Sequence, residues 1–241
     1  MRTGPLAALA AVVVVAALAA PRGPFLAPRL TEEAMAEEHA APAIALPPPQ
    51  SEGVMPVERA LRERRSVRAF APDSLSLVEV ATLLWAAQGV THGEGQRAAP
   101  SAGALYPLEV YLVAGRVRGL AAGIYRYLPA DHALTQTSAE DARGALCEAA
   151  WSQDWMLTSA AILAVAAVYE RTARQYGARA ERYVHMEVGS VAENVYLQAT
   201  ALGLGTAFVG AFDDGQVKKV LSLPAEEEPL CLLPVGRPRS Q

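Results

Sequence analysis

RAERYVHMEVGSVAENVYLQATALGLG, residues 179–205, is the stretch whose reading decides the fold. Val184, Val188, Val191, Val195, Ala199 and Leu202 recur every third or fourth residue, which lines them along one face of an α-helix. Gly203 and Gly205 stop it. The spacing predicts a helix from about Arg179 to Leu202, the longest in the chain. It is apolar over much of its circumference, so it either lies in the middle of the core or also serves a subunit interface.

Working outward, further helical patterns are interleaved with strand-like runs. Downstream, Thr206 to Gly210 reads as a short strand, Gly215 to Leu221 as a helix and Leu230 to Val235 as a last strand. Upstream, the unbroken apolar run from Ala160 to Tyr169 reads as a buried strand. Glu140 to Trp151 reads as a helix, and Gly123 to Leu128 with Ala133 to Thr137 as a hairpin turning at Asp131 and His132. Leu108, Val110 and Leu112 alternate with Glu109, Tyr111 and Val113, which is strand periodicity. Thr91 to Gly103 is a polar, glycine-rich loop. Ser76 caps a helix, with Glu79 at the capping-box position and Leu77, Val80, Ala81, Leu84 and Ala87 as its apolar face; Gly89 ends it. Pro56 suits the first turn of an earlier helix containing Val57, Ala60 and Leu61, and Arg64 to Phe70 forms its exit loop. Long helices between non-adjacent strands define the fold class as α+β: a sandwich with a mixed sheet, helices around it and a long central helix.

The N-terminal part differs in kind. Arg2 precedes an apolar run from Leu6 to Ala20, which as a helix spans roughly 22 Å, short of the ~30 Å hydrocarbon core. That length suits the apolar region of a signal peptide, with Ala17-Leu18-Ala19 as a cleavage site, and a short membrane anchor is the second reading. Export or anchoring through residues 1–20 is expected. A buried helix or a mis-assigned start, leaving the chain cytoplasmic, is the alternative. Residues 21–53 mix Pro, Ala and Glu and include Pro47-Pro48-Pro49, which reads as a linker of low order. The folded domain is expected over residues 54–241.

Just over half of the 241 residues are apolar, enough for one large core. The net charge of -4 argues against a nucleic-acid binder. Cys147 and Cys231 stand far apart and the histidines are scattered, so no metal-ligand spacing arises and the thiols read as small buried hydrophobes. Lys218 and Lys219 are the only lysines, so almost all positive charge is guanidinium, a planar fork suited to phosphate.

The chemistry concentrates in short blocks. Arg64, Arg65, Ser66 and Arg68 crowd the exit of the first helix; alternate residues of an extended loop point the same way, so Arg64, Ser66 and Arg68 can face one anion. A solvated, charged helix end is the plain reading of that cluster alone. Val235-Gly236-Arg237-Pro238-Arg239 places two more arginines just past a strand, a second arm for the same anion. In Pro100-Ser101-Ala102-Gly103-Ala104-Leu105-Tyr106-Pro107 small residues let backbone approach a flat ligand, and Val209-Gly210 offers a similar approach after a strand. Each is also compatible with an ordinary turn. No catalytic triad, Walker motif or dinucleotide fingerprint occurs, so a cofactor would supply the hard chemistry.

The order RRSVRAF, LLWAAQGV, PSAGALYPLEVY, AENVYLQATALGLGT, VGAF, PVGRP resembles the flavin nitroreductase superfamily across about residues 54–237. Through PSAGALYP it resembles the SagB-type dehydrogenase branch, which includes oxidases that turn azolines into thiazoles and oxazoles. The resemblance implies an FMN-dependent oxidoreductase transferring hydride through flavin N5 to or from a small molecule or peptide, with NAD(P)H as a candidate electron donor. It implies a homodimer with FMN at the interface. Arg64, Arg65, Ser66, Arg68 and Arg237 would bind the phosphate and ribityl chain, and Val209 and Gly210 would approach N5. Pro100, Ser101, Ala102, Gly103 and Leu105 would flank the ring from the partner subunit. Tyr176 and Tyr183 are the candidate catalytic bases; tyrosine ordinarily titrates near ~10, so its surroundings must help it accept a proton. Where azoline oxidases carry a Lys-Tyr pair this chain has Arg182-Tyr183, and a guanidinium stays protonated, so azole formation is not expected. Two alternatives stay open: a flavin-binding module without turnover, and a membrane-tethered interaction protein whose arginines meet an anionic surface.

Overall fold

Strand β3 (Leu108–Ala114) shows how the fold is assembled. Its even-numbered side chains, Leu108, Val110 and Leu112, enter one hydrophobic cluster, while Tyr111 and Val113 enter another. Both faces are covered and every residue of the strand is buried. The same division holds for its neighbour β7 (Ala161–Ala167).

The computed structural model describes residues 43–93 and 95–239. The remaining strands are β1 (Ile44–Ala45), β2 (Leu75–Ser76), β4 (Val117–Arg118), β5 (Gly123–Leu128), β6 (Ala133–Ser138), β8 (Gly205–Thr206) and β9 (Glu228–Gly236). The helices are α1 (Val57–Glu63), α2 (Leu77–Gln88), α3 (Arg143–Ala149), α4 (Tyr169–Tyr176), α5 (Ala180–Ala201) and α6 (Asp214–Leu221). Seven strands form the main sheet in the order β1-β6-β5-β3-β7-β9-β8. Each neighbouring pair in it is antiparallel. Parallel pairing enters at the edge, where Ser66 bridges Thr206, and in the small β2–β4 sheet.

Helices α2 and α5 cover one face, contributing Val80, Leu84, Val184, Val191 and Val195; α3 and α6 cover the other, contributing Leu146, Val217 and Leu221. The α+β sandwich with a long helix at its centre is therefore the architecture. The Ser76–Glu79 capping box forms in full, with the Ser76 hydroxyl accepting from the Glu79 N–H and the Glu79 carboxylate accepting from the Ser76 N–H.

Four expectations need correction. The strand expected over Thr206 to Gly210 is confined to Gly205–Thr206, with Val209 joined to Leu232 by an isolated bridge. Residues 44–50 are not a tether: Ile44 and Ala45 pair with β6, Leu46 is buried, and the Gln50 N–H donates to the Thr82 hydroxyl at 3.0 Å. His132 fastens this segment, with Nε2 3.0 Å from the Pro47 carbonyl and Nδ1 2.9 Å from the Tyr127 hydroxyl. A three-proline run cannot show strand periodicity, and only these distant partners order it. The strand expected to reach Tyr169 ends at Ala167, because Tyr169 opens α4. The helix expected over 140–151 is confined to Arg143–Ala149. Both cysteines are free and buried. The segment 1–20 and linker residues 21–42 lie outside the described residues. Among the described residues no helix is long and apolar enough to cross a membrane.

Candidate functional site

The exit loop after α1 runs beside the C-terminal strand. Val67 N–H donates to the Thr206 carbonyl at 2.9 Å, Ala71 N–H to the Arg237 carbonyl at 2.8 Å, and Arg239 N–H to the Ala69 carbonyl at 2.9 Å. Phe70 and Pro238 form an antiparallel bridge. Two segments about 170 positions apart thus share one backbone edge, and the two arginine arms separated in the sequence come to lie side by side. Gly205 permits the approach: a Cβ there would stand 2.6 Å from the Val67 Cβ.

The side chains on this edge divide. The Ser66 hydroxyl is 3.1 Å from the Tyr196 hydroxyl, which also accepts the Phe208 N–H at 2.7 Å. The Arg64 guanidinium lies over the Tyr196 ring, 5.1 Å from its centroid, and only 4.0 Å from Glu193. Arg68 lies over Trp155 at 5.7 Å. Gln153, two residues before Trp155, donates to the Ala211 carbonyl at 3.2 Å, which ties this corner to the Val209–Ala211 turn. Val209 itself is locked to Leu232 by two backbone hydrogen bonds. Arg65 turns away, its Nη1 bonded at 2.8 Å to the Arg62 and Arg64 carbonyls, and so closes the end of α1. Arg237 holds Glu79 at 2.7 Å. Burial acts to raise the Glu79 carboxyl, but the bonds from Ser76 and the Arg237 guanidinium outweigh it and hold it below the usual carboxylate range.

A second cluster surrounds the 100–107 loop. Gly103, Ala104 and Tyr106 have φ of 62°, 53° and 46°, left-handed values that two non-glycine residues keep only under external restraint. The restraints are visible. Ser101 Oγ accepts the Tyr106 N–H at 2.9 Å, the Tyr106 hydroxyl accepts the Arg97 N–H at 3.1 Å, and Arg171 Nη1 donates to the Tyr106 carbonyl at 3.0 Å. Arg171 in turn pairs with Glu109 at 2.6 Å, and Arg126 bonds the other oxygen of Glu109 at 3.0 Å. Tyr111 donates to Glu227 at 2.9 Å within the same buried network.

Tyr176 and Tyr183 come together here, edge to face with centroids 5.0 Å apart. Arg179 Nε donates to the Tyr183 hydroxyl at 2.9 Å. A Cβ on Gly103 would lie 3.0 Å from the Tyr176 hydroxyl, so the loop and this tyrosine are in contact. The phosphate-type residues and the loop are not gathered in one chain. Ser66 meets Tyr196 on α5, whereas the loop meets Tyr176 at the end of α4 through Gly103.

Sequence reasoning missed Tyr196, Trp155, Glu187 and Arg97. Glu187 had left one trace: a carboxylate three residues after Val184 interrupts the apolar face of the long helix.

A sheet covered by helices on both faces, with one long helix central to the larger layer, defines an α+β protein of the oxidoreductase fold discussed above. The chain belongs to the nitroreductase family, whose pattern matches residues 61–237. A protein of Methanocaldococcus jannaschii named as a nitroreductase is 47% identical over 181 residues, 75% of this chain and 90% of that protein. A nitroreductase-type structure from Ralstonia eutropha superposes with a TM-score of 0.73 at 32% identity, covering 83% of this chain and 90% of its own. A chain of the Escherichia coli microcin synthetase McbBCD complex, solved with truncated pro-MccB17 bound, gives a TM-score of 0.65 at 25% identity, covering 89% of this chain and 84% of that one.

Proposed function

We propose that this protein is an FMN-dependent oxidoreductase acting on a small molecule or peptide, with NAD(P)H as its electron donor. The reading is carried by the shared backbone edge of residues 66–71 and 237–239, which lays the C-terminal arm alongside the segment whose Arg64 and Arg68 lie over Tyr196 and Trp155. The residues suit the cofactor: among the described residues Arg68 has no carboxylate partner and Arg64 only a long one, which leaves both for a doubly charged phosphoester. Arg64, Ser66 and Arg68 hold that group. Arg237 reaches it by exchanging Glu79, and Arg65 secures the segment from behind. FMN, when bound, supplies hydride transfer at its N5.

The chain's own residues do the rest. Pro100, Ser101, Ala102, Gly103 and Leu105 flank the ring of the FMN held by a second copy, while Val209 and Gly210 close its N5 side with backbone. The exposed apolar side chains Val57 and Leu61 on α1 and Met186 on α5 support a homodimer over these helices. Tyr183, oriented by Arg179, and Tyr176 exchange the substrate proton. The likeness to the McbBCD chain supports the SagB-type placement and a peptide as substrate class. Residues 1–20 act as an export signal or short membrane anchor.

The test is direct. The purified full chain is expected to show flavin absorbance, and Arg64→Ala and Arg68→Ala are each expected to weaken FMN binding by about tenfold or more, the worth of one charge-assisted hydrogen bond. A wild-type chain that stays colourless after incubation with FMN refutes the proposal.

A further inference from the structure

Helix α4 grips the 100–107 loop at three points. Just before its first residue, the Val168 N–H donates to the Pro107 carbonyl at 2.8 Å. In its first turn Arg171 Nη1 donates to the Tyr106 carbonyl at 3.0 Å. At its far end the Gln175 side chain and the Tyr176 hydroxyl stand 3.0 Å from where a Cβ on Gly103 would lie. The helix itself, YERTARQY, is polar, with Thr172 as its buried residue. Apolar burial therefore does little to seat it.

A charge seats it instead. The same Arg171 guanidinium that bonds the loop through Nη1 pairs through Nη2 with Glu109 Oε1 at 2.6 Å. Glu109 belongs to β3 inside the main sheet and is 9% exposed. Its other oxygen is held by Arg126 of β5 at 3.0 Å. The carboxylate is thus fixed from the sheet side, and a planar fork with rigid nitrogens passes that fixed position on to the Tyr106 carbonyl. Tyr106 has a φ of 46° and Ala104 of 53°, left-handed values that persist only when the surroundings determine them. Holding the carbonyl fixes the peptide plane that follows the strained tyrosine.

We propose that Arg171, anchored on Glu109, is a positioning residue for the oxidoreductase site: it locks the Tyr106 peptide plane and so keeps the 101–106 loop against Tyr176 and at the flavin ring. The role at the ring rests on the FMN reading; the hold on the loop does not.

Hydrogen exchange and backbone carbon NMR shifts of the full chain without added FMN test the hold. Arg171→Met removes the fork, suits a helix and leaves Glu109 paired with Arg126. The Ala104, Leu105 and Tyr106 amides are bonded within the loop to Ser101 and Ala102. In Arg171→Met they are expected to exchange about tenfold faster, the worth of one hydrogen bond to a charged group, with β3 and β7 still protected. The Cα and Cβ shifts of Ala104 and Tyr106 are expected to move away from left-handed values. A variant that unfolds at lower urea yet keeps wild-type exchange and shifts in the loop has lost only stability, and that result overturns the proposal. Glu109→Gln keeps the donor and removes its anchor, so it is expected to change the loop in the same direction. The double variant is expected to go no further at the loop than Arg171→Met; a larger loop effect overturns the anchoring by Glu109. Should Arg171→Met fail to fold, Arg171→Lys decides by the same readouts, since it keeps a charge for Glu109 and lacks the fork. Visible circular dichroism of the FMN-loaded protein reads the second half. A changed flavin signal in Arg171→Met supports positioning at the ring, and an unchanged signal overturns that half. Wild-type protein that takes up no FMN sinks the cofactor reading while the exchange result still stands or falls alone.

Discussion

Replacing Glu109 with Gln takes away the anion that two guanidinium groups share. Arg171 lies 2.6 Å from one of its oxygens and Arg126 3.0 Å from the other. The side chains are 11% exposed for Glu109 and Arg126 and 22% for Arg171, so solvent screens these contacts little. After substitution Arg126 keeps Glu227, 3.9 Å away, as its carboxylate among the described residues. Glu227 is held toward its protonated form by burial and by the Glu109 charge. Removing one partner from a buried charge pair costs about 3–5 kcal/mol. The Gln carbonyl still accepts one hydrogen bond worth roughly 1 kcal/mol, which leaves a net loss of about 2–4 kcal/mol. Urea unfolding measures it: at a slope of ~2 kcal/mol per molar, the midpoint falls by about 1–2 M with the slope unchanged. A midpoint within ~0.3 M of wild type would show that the network contributes no net stability and refute the reasoning.

Two further outcomes follow from the same geometry. Gly205→Ala sets a Cβ against the Val67 Cβ and both its methyls at 2.6–2.7 Å; overpacking of this kind costs about 1–3 kcal/mol, and it pushes the arginine segment off β8. Lower thermal stability together with lower FMN content is expected, and a variant that matches wild type in both would show that the close approach is not needed. Glu227 has a raised folded-state value, so the native chain keeps that proton to higher pH than the unfolded chain does. Its contribution to wild-type stability is whole below the ordinary carboxylate range and is lost as pH rises through the raised value. Urea midpoints across that window should lose this fall in Glu227→Gln; an identical pH profile would remove Glu227 as its source.

The helix over 180–201, the Ser76–Glu79 cap, the hairpin at Asp131 and His132 and the unbroken strand β7 were all legible in the sequence. Each is set by neighbours a few residues away, and periodicity and capping are local physics. The same holds for the arginine block at 64–68 as a chemical possibility, and for the apolar balance that fills a cluster on each face of the sheet. What no local pattern could carry was decided by contacts between distant residues. Ile44 and Ala45 became a strand because β6 offered an open edge and His132 a partner for Pro47. Tyr169–Tyr176, too polar to show an apolar stripe, became a helix seated by Arg171 on Glu109 and on the Tyr106 carbonyl. Arg237 met Glu79 across 158 positions and Glu187 found a donor in Gln88 across 99, partners that only the folded chain brings together. Periodicity reports which face of a segment is buried, whereas the partner of a buried charge is set by topology, and that exists only once the sheet has closed between its two layers of helices.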